Sequence, residues 1–189
     1  MKELSSTANK IADLAESYIQ RRGFNGFSFR DIQNELGIKT ASIHYHFKTK
    51  QDLARTVFQR YLERYKMALS EIEQKYSSAE EKLRALADIF IAVREQDKLC
   101  LCGMYASDFY SLSNEVGGEL NQFVELNEKW IQSVIEQGVK SDEFISLIDA
   151  TRFSRLYFVS LEGSMLLSKF KDADYIRSVK ESYMAMLKK

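Results

Sequence analysis

The 189-residue chain contains no proline, eight glycines and only two cysteines. Because antiparallel sheets need turn residues at regular intervals, this composition gives little support to an all-β fold. The cysteines, Cys100 and Cys102, are separated by one residue, which argues against a structural disulfide framework and fits a reducing compartment. The sequence also lacks a run of 18 apolar residues and a hydrophobic signal core, so we expect a cytoplasmic protein without a membrane span.

The formal net charge is zero, so the overall charge gives no reason to expect nucleic acid as a partner. The charges are unevenly distributed, however. Residues 1–66 contain 12 Lys and Arg against 7 Asp and Glu, a net charge of +5, while the remainder contains 15 against 20, a net charge of −5. Because the N-terminal third is basic and the remainder is acidic, nucleic acid stays a candidate partner of the N-terminal third.

Apolar residues recur at helical spacing through most of the chain, beginning with Ile11, Leu14, Ala15, Tyr18 and Ile19. The motifs at 28–31 and 49–52 have the Ser/Thr-x-x-Asp form of helix starts, and Gly23 and Gly37 are typical of helix ends. Further helices are predicted from residue 79, over 101–110, 116–139 and 148–170, and over 174–187. We therefore predict an all-α fold of about nine helices, with domains at residues 1–66 and 67–189.

The first three helices predict helix-turn-helix geometry, because only a short turn at Gly37 and Ile38 separates the second from the third. The third helix, residues 39–47, is too short to be stable alone, so Ile43 and Phe47 must hold it by packing. Its other face is then free. That face carries small or hydrogen-bonding residues and no acidic residue, as a surface that meets phosphates requires.

Further anion contacts are expected around this helix. Lys48 and Lys50 flank its end and can neutralise phosphates. Backbone N–H groups at the capped helix starts, at Ser28 and Thr49, can donate to phosphate oxygens. Arg30 is long enough to reach a guanine edge or a phosphate. For Lys48 the alternative is a solvated surface position.

The run from Ile38 to Leu53, IKTASIHYHFKTKQDL, resembles the signature of the TetR/AcrR family of regulators, and the resemblance extends over roughly residues 8 to 58. It implies an N-terminal helix-turn-helix that binds operator DNA and a C-terminal helical domain for ligand binding and dimerisation. The DNA-contact positions that it implies are Arg30, Thr40, Ala41, Ser42, His44, Tyr45, His46 and Lys50. His44 departs from the family, where an aromatic hydroxyl is commoner, and capping or packing is an alternative for His46.

The resemblance also implies a homodimer built from the last two long helices, 148–170 and 174–187, of each subunit. Gly163, Ser164 and Ser168 are compatible with such an interface and equally with a helix crossing within one chain. The implied effector pocket would be lined by aromatic and methionine side chains: Phe90, Met104, Tyr105, Phe109, Phe123, Trp130, Tyr157 and Phe158. Plain core packing is the alternative for each. We expect an apolar or aromatic effector, because this part of the sequence shows no obvious cluster of buried charges.

Other classes of function have less support. The only histidines, His44 and His46, lie in the third helix, so Cys-x-Cys lacks partners for a metal site. The chain has no phosphate-binding glycine loop and no Glu-x-x-His pair, and we predict neither a cofactor nor an enzyme. The sequence thus predicts a ligand-responsive repressor that releases a palindromic operator. The alternatives are a thiol-based redox or electrophile sensor on the same scaffold, and a helical ligand-binding protein without DNA binding.

Overall fold

The computed structural model describes residues 4–146, 149–172 and 174–188, which form nine α-helices and one 3-10 helix and contain no strand. The helices are α1 Ser6–Arg22, α2 Phe29–Leu36, α3 Thr40–His46, α4 Lys50–Lys75, α5 Ala79–Glu95, α6 Leu101–Ser107, the 3-10 helix Phe109–Ser111, α7 Asn114–Lys140, α8 Ala150–Leu167 and α9 Asp174–Leu187. The predicted all-α fold is confirmed. None of the helices described is long and apolar enough to cross a membrane.

The helix boundaries follow from capping residues that the sequence shows. Ser28 and Asp31 form a reciprocal capping box at the start of α2, and the Ser78 hydroxyl accepts from the Glu81 N–H at the start of α5. Gly23 and Gly37 end α1 and α2 with φ of 83° and 62°, a region that glycine enters without a Cβ penalty. The local signals for the first three helices are therefore confirmed.

The structure differs from the sequence expectation at two later helices. The helix expected over 101–110 ends at Ser107, and the chain continues as the 3-10 helix, because Ser111 N–H donates to the Asp108 carbonyl. The helix expected over 148–170 spans Ala150–Leu167, with the Asp149 carboxylate accepting from Arg152 N–H. Ile148 lies outside the described residues.

Two compact units make up the chain. One comprises the chain up to Arg64 together with Leu101–Asn121, and the other comprises Tyr65–Cys100 and the chain from Gln122 onward. Helices α4 and α7 each contribute residues to both units. The division into domains at 1–66 and 67–189 stays a prediction.

In the first unit, α1, α2 and α3 bury a common apolar core, and α6 packs against α1. Ile11, Ile19, Ile32 and Ile43 are fully buried there. Because Ile43 lies on the inward side of α3, the position of this short helix is set by packing, as its length requires.

The second unit is built mainly from α5, α8 and α9, with the later part of α7. Tyr157 of α8 is buried, donates a hydrogen bond to the Leu83 carbonyl at 2.9 Å and packs against Tyr183 of α9. Ser164 and Ser168 are also buried on this side of α8, whereas Gly163 is exposed. The two serines therefore serve the packing within one chain.

Candidate functional site

Helix α3 is held so that one side packs inward and the other faces solvent. Ile43 and Phe47 are buried, and the left-handed Gly37 makes the tight turn that places α3 after α2. The Thr40 hydroxyl donates to the Gln33 side-chain carbonyl of α2, a second link across that turn. The orientation of the outward face is thus fixed by residues that do not lie on it.

The structure brings the expected DNA-contact residues of α3 onto one accessible surface. Tyr45 is 85% exposed, the highest value of any large aromatic side chain in the first three helices. The exposed members are Arg30, Thr40, Ala41, His44 and Tyr45, and Ser42 and His46 are partly exposed. A set of donors and acceptors on a short, accessible helix has the dimensions that a major groove admits.

The His44 ring has a defined orientation. It forms a T-shaped contact with the Phe29 ring at a centroid distance of 5.1 Å, and Nδ1 lies 3.2 Å from the Lys48 carbonyl oxygen. The Nδ1 atom reaches that oxygen as a donor, which leaves Nε2 as the ring nitrogen that can meet another group.

Lys50 has an environment unlike that of the other seven residues. Its ammonium donates to the Phe27 carbonyl at 2.5 Å and lies 4.5 and 4.4 Å from the ring centroids of Phe24 and Phe27. Burial lowers the pKa of Lys50, and the carboxylates of Asp108 and Asp31 act in the opposite direction. The ammonium therefore holds the turn that follows α1.

At the two capped helix starts, the N–H groups of Ser28 and Thr49 donate to carboxylates of the protein. The Ser28 N–H donates to Asp31 Oδ2 at 2.7 Å, and the Thr49 N–H donates to Asp52 Oδ2 at 2.9 Å. Hydrogen bonds from the Ser28 hydroxyl and N–H lower the pKa of Asp31. The capping carboxylates therefore occupy these two N–H groups, and the phosphate contact expected at the two helix starts stays a prediction for the N–H groups that follow them.

Asp108, which the sequence reasoning missed, joins the end of α6 to the turn after α1. Its Oδ2 accepts from the Phe24 N–H at 2.7 Å, and its Oδ1 accepts from the Asn25 side-chain amide at 2.9 Å. The Gln51 side chain adds a donation to the Ser111 carbonyl at 2.6 Å. We call Asp108, Asn25, Gln51 and Ser111 the latch. No local sequence pattern marks it, because its members are up to 86 positions apart.

The eight expected pocket residues are divided between the two units. In the second unit Phe158 lies between Phe90 and Phe123, with ring centroids 6.5 and 6.2 Å away. Tyr157 and Trp130 belong to the same unit. Met104, Tyr105 and Phe109 belong to the first unit, where the buried Tyr105 donates to the Ala54 carbonyl at 2.8 Å. Phe90, Phe123 and Phe158 are therefore the expected pocket residues that form one contiguous aromatic cluster.

Glu162 of α8, a half-buried residue with one solvent-inaccessible carboxyl oxygen, was also not predicted from the sequence. Glu162 Oε1 is inaccessible to solvent and has no hydrogen-bond partner among the described residues. The Cys100 side chain is hydrogen-bonded to the Glu162 carboxyl group, and the Cys100 N–H donates to the Met165 sulfur at 3.1 Å. The sequence does contain a signal for this residue, because a glutamate between Leu161 and Gly163 is unusual in a mostly apolar helix.

Neither cysteine is disulfide-bonded, and both are buried, which gives less support to a thiol sensor than exposure would. Within the part of the chain that the structure describes, no three His, Cys, Asp or Glu side chains are grouped closely enough to hold a metal ion.

Comparison with known proteins identifies the class of protein that this helix-turn-helix defines. The sequence profile described as "Bacterial regulatory proteins, tetR family" matches residues 11–57. The crystal structure of a TetR transcriptional regulator from Legionella pneumophila is 31% identical, superposes with a TM-score of 0.86 and is matched over 100% of both chains. The chain belongs to the TetR family, whose members are DNA-binding transcriptional regulators and not enzymes.

Two further relatives agree with this assignment over nearly the whole chain. A TetR-family regulator from Agrobacterium tumefaciens is 26% identical with a TM-score of 0.92, over 97% of this chain and 98% of that one. The probable HTH-type transcriptional regulator YttP of Bacillus subtilis (strain 168) is 24% identical over 92% of this chain and 82% of its own length. The similarity therefore extends beyond the DNA-binding segment.

Proposed function

We propose that this chain is a homodimeric, ligand-responsive repressor that binds a palindromic operator in double-stranded DNA and releases it when a small molecule binds the second unit. The observation that carries the proposal is the outward face of α3, whose Tyr45 is 85% exposed while Ile43 and Phe47 on the other side are buried. Since its operator is genomic DNA, we place its action in the cytoplasm.

The docking of α3 in the major groove is supported by the chemistry of its exposed face. The seven residues of α3 include no acidic side chain, and the hydroxyl and imidazole groups can meet base edges or phosphates. Arg30 of α2 is exposed and long enough to reach the backbone or a guanine. We assign Arg30, Thr40, Ala41, Ser42, His44, Tyr45 and His46 to direct contact, and Lys50 to the same interface through the turn that its ammonium holds.

A second copy of the chain is proposed as the partner of the outer face of α8. Leu156, Val159, Leu166 and Leu167 of α8 and the neighbouring Phe170 are large apolar side chains that are exposed in the single chain. A row of apolar residues on one helix face marks an interaction surface, and a two-fold interface would bury the same row on both subunits. The dimer would present two α3 helices to half-sites about one helical turn apart.

Two features support the proposed release of the operator on effector binding. One is the latch, and the other is the direct backbone connection between the second unit and the segment that carries latch residues. Cys100 is the last residue of its segment in the second unit, and Leu101 begins the segment that carries the latch residues Asp108 and Ser111 in the first unit. A ligand that alters the backbone at Cys100 therefore acts one residue from α6. A coupling of about 1–3 kcal/mol between effector and operator binding, typical of allostery, would change operator affinity by up to ~100-fold.

Selection from random-sequence double-stranded DNA at a fixed moderate salt concentration tests the proposal. We expect the retained sequences to share a palindromic motif. On that motif, Tyr45→Ala should lower affinity by about 1–3 kcal/mol. Tyr110→Ala is the matched control, since Tyr110 is also a highly exposed tyrosine of the first unit but lies outside α3.

Three outcomes are informative. Loss of binding with Tyr45→Ala and not with Tyr110→Ala supports the proposed interface. Equal effects of the two variants contradict it. Retention of no preferred sequence by the wild-type chain would favour the alternative of a helical ligand-binding protein without DNA binding.

A further inference from the structure

Two contacts determine which nitrogen of the His44 ring is available to a bound group. The ring forms a T-shaped contact with Phe29 at a centroid distance of 5.1 Å, and Nδ1 lies 3.2 Å from the Lys48 carbonyl oxygen. Because a carbonyl oxygen only accepts, Nδ1 carries the hydrogen of this bond. His44 is exposed, and its Nε2 atom has no hydrogen-bond partner among the described residues. Nε2 is therefore the nitrogen that meets a bound group.

The hydrogen at Nδ1 restricts what Nε2 can bind. In the neutral ring Nε2 has a lone pair and no hydrogen, so it only accepts. A phosphate oxygen of DNA also only accepts, so the neutral ring in this tautomer forms no hydrogen bond with it. The imidazolium has a second hydrogen at Nε2, which donates to a phosphate while Nδ1 keeps its bond to the Lys48 carbonyl. A phosphate contact at Nε2 of His44 therefore requires the charged ring.

The position of His44 favours a phosphate over a base edge. In helix-turn-helix proteins the first residues of the recognition helix contact base edges, and the preceding helix crosses the DNA backbone. Helix α3 begins at Thr40, and His44 lies one turn later with its ring against Phe29, the first residue of α2. Arg30, the residue after Phe29, and Lys48 are both exposed cations. His44 thus lies between α2 and a basic turn, where the DNA backbone would pass.

The charged groups around the ring keep their charge near neutral pH. The elements packed against it carry these ionisable side chains: Arg30, Asp31 and Glu35 of α2, and Lys48 of the turn that follows α3. The Asp31 carboxylate accepts from the Ser28 hydroxyl and N–H, and these bonds lower its pKa. Arginine, lysine and carboxylate groups ordinarily keep their charges between pH 6 and pH 8, whereas an imidazole changes its charge between pH 5 and pH 8. On α3 itself the second histidine is His46.

We propose that operator binding takes up one proton at Nε2 of His44 in each subunit, so that operator affinity falls as pH rises from 6 to 8. The proton comes from the solvent, and the imidazolium that it forms donates to a phosphate oxygen of the operator. This inference rests on the proposed function and adds a pH response to the same interface. Each proton taken up changes affinity by at most about tenfold per pH unit. For two subunits we expect a decrease of roughly tenfold or more between pH 6 and pH 8.

Operator affinity at pH 6, 7 and 8 tests this proposal, with the full-length chain and the motif retained in selections at both pH 6 and pH 8. Fluorescence anisotropy of labelled operator would compare the wild-type chain, His44→Gln and His46→Gln at one salt concentration. A glutamine amide donates at every pH, so His44→Gln should lose the pH dependence, whereas His46→Gln should retain it. The difference between the wild-type chain and His44→Gln separates the His44 proton from other groups, such as Glu162, whose pKa is raised by burial to about 7.

The salt dependence of affinity distinguishes a phosphate from a base edge. Each phosphate that a cation neutralises adds about 0.9 to the steepness of log affinity against log salt concentration. At pH 6 the wild-type dependence should be steeper than that of His44→Gln by about 0.9 for each subunit, and at pH 8 the two should agree. A pH dependence without this difference at pH 6 would place His44 at a base edge and overturn the proposal.

Two further results would overturn it. One is a wild-type affinity that does not change between pH 6 and pH 8, and the other is a pH dependence that His44→Gln retains. Either result, obtained with specific binding to a palindromic operator, leaves the proposed repressor intact. If the wild-type chain retains no preferred sequence at either pH, the proposed function fails, and the proton-linked contact fails with it.

Discussion

Replacing Glu162 by glutamine in the ligand-free protein should change how the free energy of unfolding depends on pH. Burial raises the pKa of Glu162 to about 7, while in the unfolded chain the group titrates near its ordinary value of 4.5. Between these values the folded chain binds more protons than the unfolded chain. Its stability therefore falls as pH rises through this window, and the full loss is present above about pH 7.

The size of the effect follows from that difference in pKa. A change of one pKa unit corresponds to about 1.4 kcal/mol, so the interval from 4.5 to about 7 corresponds to about 3 kcal/mol. Glutamine has no charged form, so the variant avoids this loss. Relative to the wild-type chain, Glu162→Gln should gain about 3 kcal/mol in the free energy of unfolding between pH 4.5 and pH 8. For a chain of this length the gain is a rise of roughly 6–12 °C in melting temperature.

Thermal or urea unfolding of both proteins from pH 4.5 to pH 8, at one protein concentration, measures this difference. A fixed concentration matters because the stability of the proposed dimer would depend on it. Glu71→Gln controls for the removal of one negative charge from the second unit and should show no such trend. If the difference between Glu162→Gln and the wild-type chain is the same at every pH, the pKa of Glu162 is not raised in the folded chain.

Three further predictions concern the latch, a helix cap and the proposed dimer. Asp108→Ala removes the acceptor of the Phe24 N–H and of the Asn25 amide, so it should lower the free energy of unfolding by about 2 kcal/mol in a urea titration. Burial acts to raise the pKa of Glu143, but hydrogen bonds from two hydroxyls and two backbone amides together outweigh it, and the pKa is lowered. Glu143→Gln should therefore destabilise the chain at neutral pH, and the loss should diminish as pH falls below the ordinary value for glutamate, the opposite pH trend to that of Glu162. Val159→Asp places a charge on the outer face of α8, and analytical ultracentrifugation should detect monomer in place of dimer; an unchanged dimer would move the interface away from α8.

The N-terminal helices were predictable because their signals are local. The serine and aspartate of the α2 capping box are three residues apart, and Gly37 lies directly after the helix that it ends. Both groups of each interaction lie within a few residues of each other, so the local sequence contains the whole signal. The latch was not predictable, because Asp108 contacts Phe24 across 84 positions and only the packing of α6 on α1 brings them together.

Helix α8 shows why the functional residues of the second unit were harder to predict. Tyr157, Leu161 and Met165 are buried within the chain, while Val159 and Leu166 are equally apolar and exposed. Apolar residues therefore surround the helix on both sides, and periodicity alone cannot indicate which side faces the chain's own core. A helix that is apolar all round must bury both sides. The inner side is buried by α5 and α9. The outer side is exposed in the single chain, and in the proposed dimer a second α8 related by a two-fold axis would cover it with the same apolar row.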